Sequence, residues 1–225
     1  VQKLIVIEGI NGCGKSTIIK ALLETYPLAT VTSHPGSTDI GKELRKLLKF
    51  GNFNLSGSQE LALFAADAIG FYKQFIENAD TNKDQLLICD RLNITGALTY
   101  QRAKGVTLSE INTMFDLLIA CGWKKRIDKL IVFNAPLDVI QSRIKKPTLV
   151  DQDKIQGDKK DRFESAGEEY LKKVHEYYSE FRTDVQIRYM LNKFVSPKDI
   201  VEVMVNRDPV DIISDVKEII ADELV

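Results

Sequence analysis

The chain has 225 residues, a length that suits one α/β domain of ordinary size with at most a small lid or appendage. A hydrophobic content of 44% is enough for a core, and a formal net charge of −1 gives no bulk positive field for duplex nucleic acid or an anionic membrane. Cys13, Cys89 and Cys121 are odd in number, widely spaced and without a CxxC pair, which argues against a disulfide framework or zinc site and fits a reducing, cytoplasmic compartment.

Five β-rich runs alternate with helical patterns: LIVI (4–7), ATVTS (29–33), LLIC (86–89), LIVF (130–133) and VEVMV (201–205). The first is too short for a signal peptide or a membrane span and reads as a strand. The first, third and fourth are continuously apolar, as strands covered on both faces are, and the alternation predicts a parallel sheet with right-handed helical crossovers.

Between the strands the helices carry their own punctuation. One runs from about Ile40 through Leu48 and stops at Gly51, a candidate left-handed terminator. The next follows Ser56 and Gln59 at capping-box spacing and presents Leu61, Phe64, Ala68, Phe71 and Phe75 at helical intervals. Thr107 and Glu110 repeat that spacing before Ile111, Phe115 and Leu118, and Pro136 reads as a first-turn proline. From about 144 to 160 the chain is polar, which marks either disorder or a functional lid. Phe163, Tyr170, Val174, Tyr177 and Phe181 form a stripe on a long helix, residues 185–199 suggest no function, and Asp208-Pro209 opens a last helix.

The chemistry lies first in GINGCGKS, residues 9–16. Gly9, Gly14, Lys15 and Ser16 satisfy GxxxxGK[ST] between a strand and a helix, the context that this motif needs. Its glycines let successive N–H groups wrap an anion at a helix N-terminus. Lys15 can reach β- and γ-phosphate oxygens, and the Ser16 hydroxyl can ligate Mg²⁺. Cys13 reads as a small residue at a variable loop position rather than as a redox group. The loop alone does not separate a kinase from a switch GTPase or a motor ATPase, but no NKxD-like guanine reader is present. The third strand ends in Asp90-Arg91, an acid that can hold Mg²⁺ through water and a guanidinium that can fork onto a phosphate. His34 and His175 have no partner spacing and are not metal-ligand candidates.

Taken in order, IEGINGCGKST, Thr32 to Thr38, FAAD at 64–67, DR at 90–91, DRFE at 161–164 and NRDP at 206–209 resemble the thymidylate kinase family, over nearly the whole chain. The resemblance implies one P-loop NTPase-type domain over 1–225 with a five-stranded parallel sheet, flanking helices and a polar lid. It implies transfer of the ATP γ-phosphoryl group to dTMP with Mg²⁺, by a cytoplasmic homodimer. In the family's pattern Gly9, Ile10, Asn11, Gly12, Cys13, Gly14, Lys15, Ser16 and Thr17 hold ATP, with Arg207 on the adenine side. Asn11, Pro35, Phe64, Arg91, Thr95 and Gly96 hold dTMP, Phe64 by stacking on thymine and Arg91 by gripping the acceptor phosphate. Ser16 and Asp90 serve the metal, and Lys15, Asp90, Arg91, Arg143 and Arg162 form the catalytic set, the last two closing with the lid.

The sequence departs from that pattern in four places. Asn11 replaces a loop carboxylate, and Ser33, His34 and Ser37 replace arginine, glutamate and glycine. Ala68 stands one turn after Phe64, where the family commonly has a base-reading arginine, so base selection is relaxed or rebuilt with Asn93, Thr95 or Gln101. The lid is longer than the compact bacterial form and poorer in arginine. A broader deoxynucleoside monophosphate kinase is the alternative enzyme. Deoxynucleoside kinases are disfavoured by Asp90-Arg91, and an inactive nucleotide-binding regulator by the intact set of Lys15, Ser16, Asp90, Arg91 and Arg162.

Overall fold

The computed structural model describes residues 2–51, 53–80, 85–145 and 167–224. Its centre is a five-stranded, wholly parallel sheet in the order β2-β3-β1-β4-β5, built from β1 (Gln2–Glu8), β2 (Thr30–Ser33), β3 (Gln85–Asp90), β4 (Lys129–Asn134) and β5 (Ile200–Met204). The predicted runs are these strands, to within a residue or two at each end. Leu4 to Ile7 and Leu130 to Ile131 are 0–2% exposed. Each such side chain contributes about 1.5–3 kcal/mol by leaving water, so the middle strands anchor the sheet.

Register decides where a site can form. Ile7 lies opposite Asp90, and Ser33 lies opposite Asp90 on the other side. The loops that follow β1, β2 and β3 therefore leave the carboxyl edge of the sheet side by side, the place where open α/β sheets bind ligands.

Helices cover both faces. They are α1 (Lys15–Thr25), α2 (Asp39–Phe50), α3 (Gly57–Phe71), α4 (Asn93–Gly96), α5 (Leu108–Leu118), α6 (Leu137–Lys145), α7 (Glu168–Thr183), α8 (Val185–Leu191) and α9 (Pro209–Leu224). Both capping boxes form: Ser56 with Gln59 opens α3, and Thr107 with Glu110 opens α5. α4 runs on through wide π-helical turns at Ala97–Gln101, a form often found at functional sites. No helix among the described residues is long and apolar enough to cross a membrane.

Four details differ from the sequence reading. Gly51 ends α2 in an extended conformation (φ −65°, ψ 140°), because its N–H already satisfies the Leu47 carbonyl without a left-handed turn. Pro136 stands just before α6, its carbonyl accepting from the Ile140 N–H. On α7 the buried stripe is Val174, Tyr178 and Phe181; Tyr177 is half-exposed beneath the Arg102 guanidinium, 4.0 Å from its ring centre. The region 185–199 is a packing element, with Ile187, Met190, Leu191, Phe194 and Val195 buried in the core. Of the proposed lid, residues 144 and 145 belong to α6, and 146–160 lie outside the described residues, as do Arg162 and Phe163.

Candidate active site

The loop after β1 has the backbone that an anion cradle requires. Gly9, Gly12 and Gly14 have φ of +139°, +83° and +93°, values that disfavour any L side chain. Two of them are also sterically fixed. A Cβ on Gly9 would sit 2.6 Å from the Phe133 carbonyl oxygen, and one on Gly12 would sit 2.9 Å from Ile144 of α6. No side chain caps the N-terminus of α1, so its first amides are left for a ligand. Lys15 is buried, and its ammonium donates to the carbonyl of Gly9 at 2.9 Å and lies 3.4 Å from that of Ile10. Burial, then the nearby Arg91 guanidinium, lowers its pKa. Cys13 is a packed core residue with Sγ 3.6 Å from the Lys15 ammonium, which fits a small loop residue. Ser16 and Thr17 are exposed at the head of α1.

The loop is tied to β3 through Glu8, a residue that sequence reasoning missed. Glu8 is fully buried at the end of β1. Its carboxylate accepts from the Leu92 N–H (2.7 Å), the Thr95 hydroxyl and the Tyr178 hydroxyl (2.9 Å), and lies 3.7 Å from the Arg91 guanidinium. A charge ending an otherwise apolar strand was the available signal, because a buried carboxylate must be paired. Tyr178 links the two charges: it donates to Glu8 and accepts from Arg91 at 3.1 Å. Burial, then the Glu8 carboxylate, pushes its phenol pKa well above the ordinary value, so it remains a donor.

Arg91 takes a left-handed φ of 70°, its N–H held by the Ile7 carbonyl. That turn aims the guanidinium into the crevice, where it donates to Asn11 Oδ1 at 2.5 Å and lies 5.3 Å from the centre of the Tyr100 ring. Burial opposes its charge, yet Tyr100, Tyr178 and Glu8 carry its pKa well above the usual value. Asn11 thus does more than substitute for a carboxylate. It couples the phosphate loop directly to Arg91.

A cavity of about 740 Å³, counting its open mouth, runs from this cluster to Phe64. Asn11, Asp90 and Arg91 line one end, and Pro35, Gly96 and Tyr100 help to line the remainder. Arg45 of α2 is a second guanidinium on the wall, unnoticed in the sequence, with Nη1 bonded to the Pro35 carbonyl at 3.0 Å. Phe64, His34, Asn93 and Gln101 line the cavity as well. Thr95 is brought to the site but not to the cavity. It is fully buried, with its hydroxyl bound to Glu8 and the Leu92 carbonyl. Ala68 is likewise buried and off the cavity wall, its carbonyl accepting from the Trp123 indole at 3.1 Å.

Asp90 lines this cavity and also the cleft beside Ser16, and its Oδ1 is buried without a hydrogen-bond partner among the described residues. An orphaned carboxylate oxygen beside an exposed serine hydroxyl fits a hard cation. Among the described residues no three His, Cys, Asp or Glu side chains cluster into a metal site, so most ligands would come from phosphate and water, as Mg²⁺ prefers. Two other sequence candidates stand apart. The Arg143 guanidinium bonds the Val205 carbonyl at 2.8 Å, and Arg207 bonds the Met204 carbonyl and Asp215 at the far edge of the sheet. Neither lines the cavity. His175 is pinned 2.7 Å from the Ala135 carbonyl.

An open anion cradle, an acid at the adjacent strand end and a cavity with a guanidinium at its inner end define a P-loop nucleotide kinase. The sequence matches the profile of the thymidylate kinase family over residues 7–205. It is 32% identical over 176 residues to the thymidylate kinase of Campylobacter curvus (strain 525.92), covering 78% of this chain and 83% of that one. It is 29% identical over 191 residues to that of Helicobacter hepaticus (strain ATCC 51449 / 3B1), covering 83% and 88%. The fold is shared with the solved thymidylate kinase from Candida albicans at a TM-score of 0.67 and 23% identity, over 98% of this chain and 92% of that one. The chain belongs to the thymidylate kinase family, phosphotransferases that use ATP.

Proposed function

We infer that the protein transfers the γ-phosphoryl group of ATP to dTMP, giving dTDP and ADP. The carrying observation is the cavity that stretches from an aromatic wall at Phe64 to Arg91 and Asp90 and opens beside the phosphate loop. It suits a flat base at one end and a phosphate at the other. A phosphate oxygen of dTMP attacks the γ-phosphorus, and the bond from that phosphorus to the β–γ bridging oxygen breaks, leaving its electrons on ADP. Such transfer asks for positioning and charge placement rather than covalent help from the protein.

The residues divide that work. Lys15 exchanges the Gly9 and Ile10 carbonyls for phosphate oxygens when ATP enters, and the open amides of α1 take the rest of the anion. Arg91 grips the acceptor phosphate and Arg45 of α2 offers a second cation on the cavity lining. Glu8 and Tyr178 keep Arg91 in its left-handed pose before substrate arrives, so little reorganisation is left for the reaction. Phe64 stacks on the base. Ser16 and Asp90 would hold Mg²⁺, which when bound offsets the charge of the nucleotide phosphates. We assign Arg143 and Arg162 to a lid that closes over ATP, and Arg207 to the adenine side, on the family resemblance. That resemblance also supports one kinase domain, a cytoplasmic location and a homodimer.

Chromatography of the products from Mg-ATP and dTMP tests the reading. Stoichiometric dTDP and ADP are expected; ATP binding with no dTDP would point to a nucleotide-binding regulator. Ala68 favours a second reading, a kinase with a broader range of deoxynucleoside monophosphates, because the family's base-reading arginine is missing. Comparable turnover of several bases would establish it.

A further inference from the structure

Gly96, Tyr100 and Gln101 form the least regular part of the cavity lining, because they lie in or beside the π-helical turns at Ala97–Gln101. Just beyond, the N–H groups of Lys104 and Val106 both go to the Gln101 carbonyl, and that of Gly105 goes to Arg102. The Tyr100 carbonyl accepts from the Tyr170 hydroxyl of α7 at 3.1 Å, a bond that spans 70 positions of the chain.

α7 backs the same turns at two further places. The Tyr178 ring, about two turns along the helix from Tyr170, meets the Tyr100 ring edge-on with centres 6.3 Å apart. Arg102 lays its guanidinium over the Tyr177 ring and bonds the Glu180 carboxylate. The helix is itself anchored, with Val174, Tyr178 and Phe181 buried and His175 Nε2 2.7 Å from the Ala135 carbonyl. An irregular stretch of backbone is thus braced from a helix fixed in the core.

What the brace holds in place is the Tyr100 ring. That ring is buried, and the Arg91 guanidinium lies over it, 5.3 Å from its centre. Asn11, Tyr178 and Glu8 meet the edge of the same guanidinium at 2.5, 3.1 and 3.7 Å. Polar partners set where the guanidinium nitrogens point, and the ring sets the plane in which they lie. A shift of the backbone at Tyr100 would carry the ring out from under Arg91.

We propose that Tyr170 is a positioning residue for the acceptor phosphate. Its hydroxyl fixes the backbone at Tyr100, the Tyr100 ring fixes the Arg91 guanidinium, and Arg91 grips the phosphate of dTMP. Tyr170 is not among the residues that line the cavity, so it acts through Tyr100 and not on the nucleotide. Lys15 bonds the carbonyls of Gly9 and Ile10, outside this relay, so the hydroxyl bears on dTMP rather than on ATP. The proposal rests on the reading of Arg91 as the ligand of the acceptor phosphate and deepens it.

Tyr170→Phe removes the hydroxyl and keeps the ring. The test is the KM for dTMP and the KM for Mg-ATP, each with the other substrate saturating. Wild type, Tyr170→Phe and Tyr177→Phe are compared, with thermal melting to confirm that each is folded. In Tyr170→Phe the KM for dTMP should rise roughly three- to tenfold, the net worth of one hydrogen bond, while that for Mg-ATP stays within twofold. Tyr177→Phe keeps the ring beneath Arg102 and should leave both constants within twofold. A KM for dTMP within twofold of the wild type's in Tyr170→Phe would overturn the proposal, even with a lower melting temperature, because Tyr170 would then serve the fold alone. A parallel rise in both constants, or the same rise in Tyr177→Phe, would overturn it too, and each of these results leaves the kinase reading intact. A wild type without turnover of dTMP would overturn both.

Discussion

The two ends of the cavity are built in different ways. At the phosphate end the chain uses backbone: left-handed glycines, uncapped helix amides and the alignment of β1 with β3 bring Lys15, Ser16, Asp90 and Arg91 together. At the base end it uses side chains from three separate places, His34 after β2, Phe64 and Asp67 on α3, and Asn93 and Gln101 in and beyond α4. A phosphate is the same for every nucleotide, and a short stretch of backbone can cradle it. A base must be told from other bases, which takes donors and acceptors from several directions. The first end is built from a short local motif, and the second is assembled from residues far apart in the chain.

The largest effect expected from breaking this comparison is at Lys15. Lys15→Ala should lower kcat by about 10²–10³-fold, the usual cost of removing one placed charge from a transition state. Steady-state kinetics with dTMP would show it, and a loss below tenfold would mean that the loop amides suffice. Glu8→Gln probes the brace between the ends. It replaces one carboxylate oxygen by an amide NH₂ that faces the donors Leu92 N–H, the Thr95 hydroxyl and the Tyr178 hydroxyl. At least one buried donor loses its acceptor, at about 1–3 kcal/mol of stability measurable by urea unfolding. Unchanged stability would show that Glu8 is not the hub described.

At the base end the effects should be smaller and should fall on KM. Phe64→Ala removes the aromatic wall, worth about 0.5–1.5 kcal/mol beyond its area, so KM for dTMP should rise at least severalfold while kcat changes little. An equal fall in kcat would place Phe64 in the transition state rather than in binding. The smallest effect lies outside both ends. Glu110 of the α5 capping box is held down to about 2 by the Ser58 hydroxyl, then by the Thr107 N–H and hydroxyl, against an ordinary 4.5. Its folded pKa is depressed, so its contribution is complete above pH 4.5 and is lost as pH falls toward 2. Melting temperatures between those limits should fall less for Glu110→Gln than for the wild type. Parallel curves would remove the capping box from the acid response.

This division also explains what the sequence revealed. Strands appeared as apolar runs and both capping boxes as three-residue spacings, because these are local signals. The loop at 9–16 was legible for the same reason: its glycines, lysine and serine act within eight residues. Glu8 was passed over because its partners come from β3, α4 and α7, which only register and packing bring together. Tyr177 was chosen over Tyr178 because a seven-residue step from Tyr170 looks like a stripe, whereas the face that packs follows Val174, Tyr178 and Phe181. The pairing of His34 with Asp67 spans 33 positions and two elements, so no spacing announces it. The bond from the Thr95 hydroxyl to the inward-facing Glu8 was not legible either, because it joins residues 87 positions apart.

The central claim is that the cavity from Phe64 to Arg91 binds the acceptor nucleotide while the glycine loop serves the donor. Calorimetric titration of dTMP into Lys15→Ala tests it most directly. An affinity for dTMP within a few-fold of the wild type's is expected in a protein that has lost most of its turnover. Loss of dTMP binding together with turnover would contradict it, and would mean that donor and acceptor share one site around the loop.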